Sequence, residues 1–326
     1  MKIVVTGGAG FLGQRLIRAL CKRGRLTSAE GAELPIEQIL SIDQAQAGRL
    51  FVDDRVGYVI GDIANSVFVN NVLEGDTDSV FHLAAVGSGT AEADFDLGMR
   101  TNVDGTRAVL ENCRRQRRRH GVPKVVFASS VAVFGGALPP AVSDATMPQP
   151  VTSYGAQKLI GETLLAEYAR KGFVEGRALR LPAIVVRPGD PGLVLSSFAS
   201  NVICEALAGH DVACPVAAET ALWIASPAAV VAAFVHAHEL PAAAWDGRAL
   251  NLPGLTVTMT EVLDALRAVG GAAAAARVKF VPDAETQRTV ATWPARFATA
   301  RADELHFERD AGLVEIVRAY AAEQAS

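Results

Sequence analysis

The run Lys2-Ile3-Val4-Val5-Thr6 stops at Gly7-Gly8-Ala9-Gly10-Phe11-Leu12-Gly13 and is followed by Gln14-Arg15-Leu16-Ile17-Arg18-Ala19-Leu20. No other stretch constrains the fold as much. The β-branched run predicts a buried strand, and the apolar spacing after the glycines predicts a helix packed on a sheet. Strand, glycine turn and helix in this order form the context of a dinucleotide fingerprint. The glycines at 7, 10 and 13 follow GxxGxxG spacing. Gly7 permits a tight turn, Gly10 lets the backbone approach a pyrophosphate, and Gly13 lets helix and strand pack closely. The helix N-terminus then faces the phosphate. The expected cofactor contacts here are Gly7, Gly10, Phe11, Leu12 and Gly13.

The alternation continues along the chain. Residues 24–38 read as a polar, irregular insertion before a second strand over 38–42, with Asp43 at its end. A carboxylate there accepts both ribose hydroxyls of NAD and repels the 2′-phosphate of NADP. A third strand over 56–60 ends at Gly61-Asp62-Ile63, which places Asp62 and Ile63 at the adenine. A fourth runs through Val80-Phe81-His82-Leu83-Ala84-Ala85. The small Ala84 and Ala85 let the cofactor pass close, and His82 reads as a packed strand residue. Thr101-Asn102-Val103-Asp104-Gly105-Thr106 opens a long helix that closes in the basic run 114–120, where cations meet the helix dipole. The fifth strand, 124–128, ends at Ser129-Ser130. Five β-α alternations predict an α/β chain with a Rossmann-like, doubly wound parallel sheet. A sixth strand is expected over 178–186, ending at Arg187-Pro188-Gly189. Beyond it the elements shorten and mix. Helices are expected over 196–208, 227–238, 260–268 and from 311, and strands over 221–225, 249–252 and 277–281. The expected division is an NAD-binding domain over 1–177 and a smaller mixed α/β substrate domain over 178–326, some of whose segments return to the first.

Composition excludes several function classes. With 326 residues the chain is long enough for a substantial core. A net charge of −4 argues against a nucleic-acid footprint. The four cysteines lack a CxxC pair and the six histidines are dispersed, which argues against a disulfide framework or a metal site. No apolar stretch reaches about 18 residues without a polar break, and the apolar run after Met1 is too short for a signal peptide. The expectation is a cytoplasmic enzyme with no membrane partner.

Tyr154 and Lys158 stand four residues apart, one turn of a helix. A cation near a phenol favours the phenolate and lowers its pKa from about 10. The pair is therefore a candidate general base for an alcohol proton.

These stretches together resemble the extended short-chain dehydrogenase/reductase superfamily, the NAD-dependent epimerase/dehydratases. The matches are the glycines at 7, 10 and 13, Asp43, Gly61-Asp62-Ile63, His82-Leu83-Ala84-Ala85, Asn102-Val103-x-Gly105-Thr106, Ser129-Ser130-x-x-Val133-Phe134-Gly135 and Tyr154-x-x-x-Lys158. They come in the family order over roughly the first 190 residues. Phe134 stands where relatives often carry tyrosine. The resemblance implies NAD as cofactor, bound also by Tyr154 and Lys158. It makes Tyr154 the base, Lys158 the cation that tunes it and holds the nicotinamide ribose, and Ser130 the donor to the reacting oxygen, with Ser129 the less favoured neighbour. Asn102 either steadies its local helix and a water or caps the helix.

Within the superfamily the chain is similar to dehydrogenases that oxidise a four-carbon sugar acid. Arg180-Leu181-Pro182-Ala183 lacks the asparagine common in sugar-nucleotide epimerases, and Leu222-Trp223-Ile224-Ala225-Ser226-Pro227 lacks their Arg-Asp segment. A substrate carboxylate needs a cation. Arg187 is the candidate, a structural salt bridge its alternative use, and Ser88 and Ser226 could supply neutral donors. The rival readings are a nucleotide-sugar 4-epimerase with tightly held NAD and a non-catalytic NAD(P)-sensing module. The family pairs its long helices across a two-fold axis, and apolar outward positions at Leu110, Leu164 and Leu165 extend that expectation to a homodimer here.

Overall fold

The computed structural model describes residues 1–44, 50–73, 75–116, 120–187 and 196–325. Arg117, Arg118 and Arg119 of the basic run, and Pro188 and Gly189, lie outside the described residues. The chain divides into two compact units. The first comprises Met1–Ser130, Thr152–Arg180 and Val231–Leu250, and the second Val131–Val151, Leu181–Val230 and Asn251–Ser326. The boundary expected at 177/178 falls inside the strand Glu175–Leu181.

A seven-stranded sheet forms the first unit's frame, in the order Leu250–Asn251, Glu175–Leu181, Lys124–Ser130, Ser79–His82, Lys2–Thr6, Gln38–Asp43 and Val56–Ile60. The pairings from Lys124–Ser130 across to Val56–Ile60 are parallel. Parallel neighbours need crossover connections, and here helices supply them. The strand order reverses beside Lys2–Thr6: the chain first adds strands on one side, then returns to add Ser79–His82 on the other. Doubly wound sheets bind ligands beyond the strand ends at such a switch point. The core packs Val4, Leu40, Ile42, Val80, Val125 and Phe127 of the sheet against Val109, Leu110 and Leu165 of the helices Gly105–Arg115 and Ser153–Arg170.

Four expectations need correction. Leu110 and Leu165 are not outward positions: they are only 1% and 2% exposed, because this face of each helix covers the sheet. Leu164 is half-buried. The stretch 24–38 is not irregular, since Arg25–Thr27 pairs antiparallel with Glu33–Pro35 in a hairpin anchored by the buried Leu26. The strand expected over 178–186 ends at Leu181. Pro182 lacks a donor, and Ala183–Ile184 pairs instead with Ala221–Ala225 in the second unit.

The second unit holds a three-stranded sheet in which Ala221–Ala225 lies between Ala183–Ile184 and Leu255–Thr258. The helices Ser197–Ala208, Met259–Ala276 and Leu313–Gln324 pack together around Phe198, Val202, Ile203, Val262, Leu266 and Ile316. Thr258 and Glu261 form a capping box on the second of these. Among the described residues no helix is long and apolar enough to cross a membrane.

Candidate active site

The glycine turn closes the end of strand Lys2–Thr6 and starts the helix Phe11–Arg23. Gly7 adopts a φ of 70°, which L side chains rarely reach, and its N–H donates to the Ile42 carbonyl at 2.8 Å. A Cβ on Gly13 would lie 2.2 Å from the Gly7 carbonyl oxygen. The helix start therefore meets the strand end with bare backbone, as an anion cradle requires. Asp43 lies against this turn: Oδ2 accepts from Ala9 N at 3.1 Å and Oδ1 from Gln44 N at 2.8 Å. Asp62 Oδ1 accepts from Ala64 N at 2.9 Å and Gln44 Nε2 at 3.2 Å. Ile63 is buried against Gly105. The Arg15 guanidinium covers the Phe11 ring at 4.0 Å, and Leu12 beside it is half-buried. Ala84 N donates to Thr6 Oγ1 at 3.3 Å, and Ala85 beside it is exposed.

His82 is fully buried and ties this region together. Thr106 Oγ1 donates to the Asn102 carbonyl at 2.6 Å, so it accepts from His82 Nε2–H at 2.9 Å. Nδ1 is then the acceptor for the Thr6 hydroxyl at 2.6 Å. Burial, with the Lys158 charge second, pushes the imidazole pKa down to about 3, so the ring is neutral. His82 is thus a strand residue, but one that fixes Thr6 and the Asn102 backbone.

Tyr154 and Lys158 lie in the first two turns of the helix Ser153–Arg170. Thr152 Oγ1 caps it by accepting from Gly155 N at 3.1 Å, and Glu92 Oε2 accepts from Ser153 N at 2.9 Å. Gly161 lets the helix settle on the strand Lys124–Ser130, since a Cβ there would come 2.7 Å from the Phe127 ring. Lys158 is 2% exposed, with Nζ 5.0 Å from the Phe127 ring centre and 5.5 Å from that of Tyr154. Its ammonium makes no hydrogen bond or ion pair among the described residues. Burial pulls its pKa down to about 8, opposed by the Glu162 charge. A buried cation with open donors, the bare glycine turn and Asp43 together fit a nicotinamide dinucleotide. The turn would hold its pyrophosphate, and Asp43 and Lys158 its ribose hydroxyls.

Ser129 and Ser130 end the strand on opposite faces. Ser129 is buried and its hydroxyl donates to Glu162 Oε1 at 2.5 Å, whereas Ser130 is half-buried. Ser129 is therefore committed to a buried acid, and Ser130 remains the candidate donor. Asn102 sits inside a π-helical turn, Met99–Asp104, and not at a helix start, so its expected capping alternative does not hold. Its Oδ1 accepts from Val86 N at 2.9 Å and its Nδ2 donates to Gln157 Oε1 at 2.7 Å. Inserted turns of this kind often mark functional sites. Ser88 opens the short helix Ser88–Ala93.

Two substrate candidates lie in the second unit. Arg187 is exposed, its N–H donates to Ser200 Oγ at 2.9 Å, and its guanidinium has no ion-pair partner among the described residues. The structural salt bridge considered for it is not formed there. Ser226 is buried as the cap of the helix Pro227–Glu239: its Oγ accepts from Ala229 N at 3.0 Å and its N–H donates to Asp310 Oδ2 at 2.8 Å. The geometry gives it a capping role, in which its Oγ accepts. Sequence reasoning missed Gln157, Glu162 and Arg180. The one available signal was Glu162, a further four residues along the Tyr154–Lys158 face.

Residues 3–252 match the model of the NAD dependent epimerase/dehydratase family. The chain is 49% identical over 321 residues to a D-erythronate dehydrogenase of Cupriavidus necator, covering 98% of each chain. It is 39% identical over 325 residues to a D-erythronate dehydrogenase of Haemophilus influenzae, again covering 98% of each. Among solved structures it resembles a nucleoside-diphosphate-sugar epimerase from Agrobacterium tumefaciens, with a TM-score of 0.90, 37% identity and coverage of 100% of this chain and 94% of that one. With the glycine turn at a sheet switch point and a Tyr-Lys helix on the strand Lys124–Ser130, these likenesses place the chain in the NAD-dependent epimerase/dehydratase family.

Proposed function

We propose that this chain is an NAD-dependent dehydrogenase that oxidises a secondary hydroxyl of a small sugar acid, of the D-erythronate to 2-dehydro-D-erythronate type. The observation that carries this reading is the near full-length identity of 49% to a D-erythronate dehydrogenase. The buried, open-handed Lys158 beside Tyr154 supplies the chemistry. NAD, when bound, supplies the acceptor for the hydride of the carbinol carbon. Tyr154 takes the hydroxyl proton as general base. Lys158 favours its phenolate by charge and holds the nicotinamide ribose. Ser130 donates to the oxygen on which charge develops. Asn102 positions Val86 and Gln157 around this group. Asp43 selects NAD over NADP by repelling the extra phosphate. Arg187 is the guanidinium proposed for the carboxylate, since its planar fork matches that group.

On the same reading the enzyme acts in the cytoplasm as a homodimer. Exposed Ile160 and half-buried Leu164 on the Tyr154 helix support the second point. A second reading, a nucleotide-sugar 4-epimerase that returns the hydride, draws on the likeness to the Agrobacterium structure.

Purified protein supplied with NAD and a panel of aldonic acids and UDP-sugars separates the two. The dehydrogenase reading expects NADH to accumulate with D-erythronate. Interconversion of a UDP-sugar without net NADH, and silence with every sugar acid, would overturn it in favour of the epimerase.

A further inference from the structure

The helix that carries Tyr154 and Lys158 presents a third ionisable side chain on the same face. Glu162 follows Lys158 by one turn. It is 6% exposed and meets Arg180, 8% exposed, on the strand Glu175–Leu181. Arg180 Nε donates to Oε1 at 2.9 Å and Nη2 to Oε2 at 2.7 Å. Ser129 Oγ adds a third donor, to Oε1 at 2.5 Å. Three donors, two of them from one guanidinium, fix the position of this carboxylate. The mechanism above uses none of the three residues. Stability is a weak account of them, because apolar side chains of similar volume replace buried ion pairs with little loss and often with gain.

What the cluster adjoins is the Lys158 ammonium. The groups that face Lys158 are Tyr154 and Glu162 from its own helix, the Phe127 ring from the strand Lys124–Ser130, and the neutral His82 from the strand Ser79–His82. Those that face Glu162 are Lys158, Ser129 and Arg180. Among the described residues Glu162 is thus the one carboxylate in either set.

We propose that Glu162 is a positioning residue that presents its carboxylate to Lys158 one turn away, and that Arg180 and Ser129 keep that carboxylate aimed. The proposal rests on the assignment of Tyr154 and Lys158 as the reacting pair. Burial alone drives Lys158 toward the neutral amine, and Glu162 is the charge that opposes it. Without it Lys158 would lose its proton nearer neutral pH, and Tyr154 would lose the cation that favours its phenolate.

The test is a titration of the full chain labelled with [13Cε]lysine, followed by NMR, with the Lys158 signal assigned through Lys158→Met. It requires neither cofactor nor substrate. In Glu162→Gln the Lys158 midpoint is expected to fall by about one pH unit, the scale of one partly compensated charge at this separation. Glu162→Asp, which keeps the charge, is expected to restore most of that shift. An unpaired buried guanidinium can unfold a domain, so the double variant Glu162→Gln with Arg180→Met is titrated in parallel, with a smaller downward shift expected. In the sugar-acid assay, the alkaline limb of kcat/KM should move down with the NMR midpoint. A Lys158 midpoint within about 0.2 unit of wild type in the folded variants overturns the proposal. A wild-type enzyme silent with every sugar acid, but showing the NMR shift, would sink the substrate reading and leave this one standing.

Discussion

Asn102 Nδ2 donates to Gln157 Oε1 at 2.7 Å, joining a π-helical turn to the helix that carries Tyr154 and Lys158. Asn102 is at the same time fixed to the backbone of Val86, just beyond the strand Ser79–His82. One amide thus ties together the loop expected to pass the cofactor and the two residues expected to do the chemistry. Gln157 is 1% exposed, and its replacement leaves Asn102 Nδ2 with only its 3.4 Å bond to the Val86 carbonyl. Gln157→Leu is expected to destabilise the protein by about 1–3 kcal/mol. It should also lower kcat roughly tenfold or more, through misplacement of the reacting pair, with less change in KM. Steady-state kinetics beside thermal melts check this. Unchanged kcat in the folded variant would make the bond incidental.

Tyr154→Phe removes the one atom that takes the proton and little else. Turnover is expected to disappear while NAD affinity, measured by calorimetry, stays within about threefold of wild type. Retained turnover would sink the assignment of the base.

The adjacent serines give opposite expectations. Ser130→Ala should lower kcat by about 10²–10³, as for loss of one donor to a developing oxyanion. Ser129→Ala removes a donor from buried Glu162 and should show mainly as a loss of stability of about 1–3 kcal/mol in thermal melts. If the two variants exchange these phenotypes, the facing of the strand end has been misread.

His82 makes stability fall on the acid side. Its folded pKa of about 3 lies below the ordinary 6.5, so between these values the unfolded chain binds a proton that the folded one does not. Stability therefore falls as pH drops below about 6.5, by up to about 1.4 kcal/mol per unit from this group. Denaturant melts of wild type and His82→Gln over this range should differ in slope, the variant being flatter. Equal slopes would show that His82 does not carry the effect.

On the proposed function, Asp43 sets the cofactor preference. Asp43→Asn keeps an oxygen for Ala9 N–H but removes the charge that repels a 2′-phosphate. The ratio of kcat/KM with NADP to that with NAD is expected to rise about tenfold or more, the ~1.4 kcal/mol of one charge contact. An unchanged ratio would move the selectivity elsewhere.

Much of the site was legible because it is written within single elements. The GxxGxxG spacing lies in one turn, Asp43 closes one strand, and Tyr154 and Lys158 share one helix face. Even the choice of Ser130 over Ser129 follows from the alternation of a strand once its buried side is known. The misread positions share a different character. Leu110 and Leu165 carry no mark that tells a sheet-facing leucine from an outward one. Arg25–Thr27 and Glu33–Pro35 are too short for periodicity to reveal a hairpin.

The sequence by itself determined the alternation of strands and helices, the glycine turn and the shared helix face of Tyr154 and Lys158, because each is written in residues a few positions apart. Only the tertiary structure decided what surrounds that pair. Gln157 meets Asn102 across 55 positions, and Arg180 meets Glu162 across 18. The register of parallel strands and the seating of a helix on Phe127 bring those partners together. That environment sets whether a buried lysine keeps its proton, and local spacing carries no record of it.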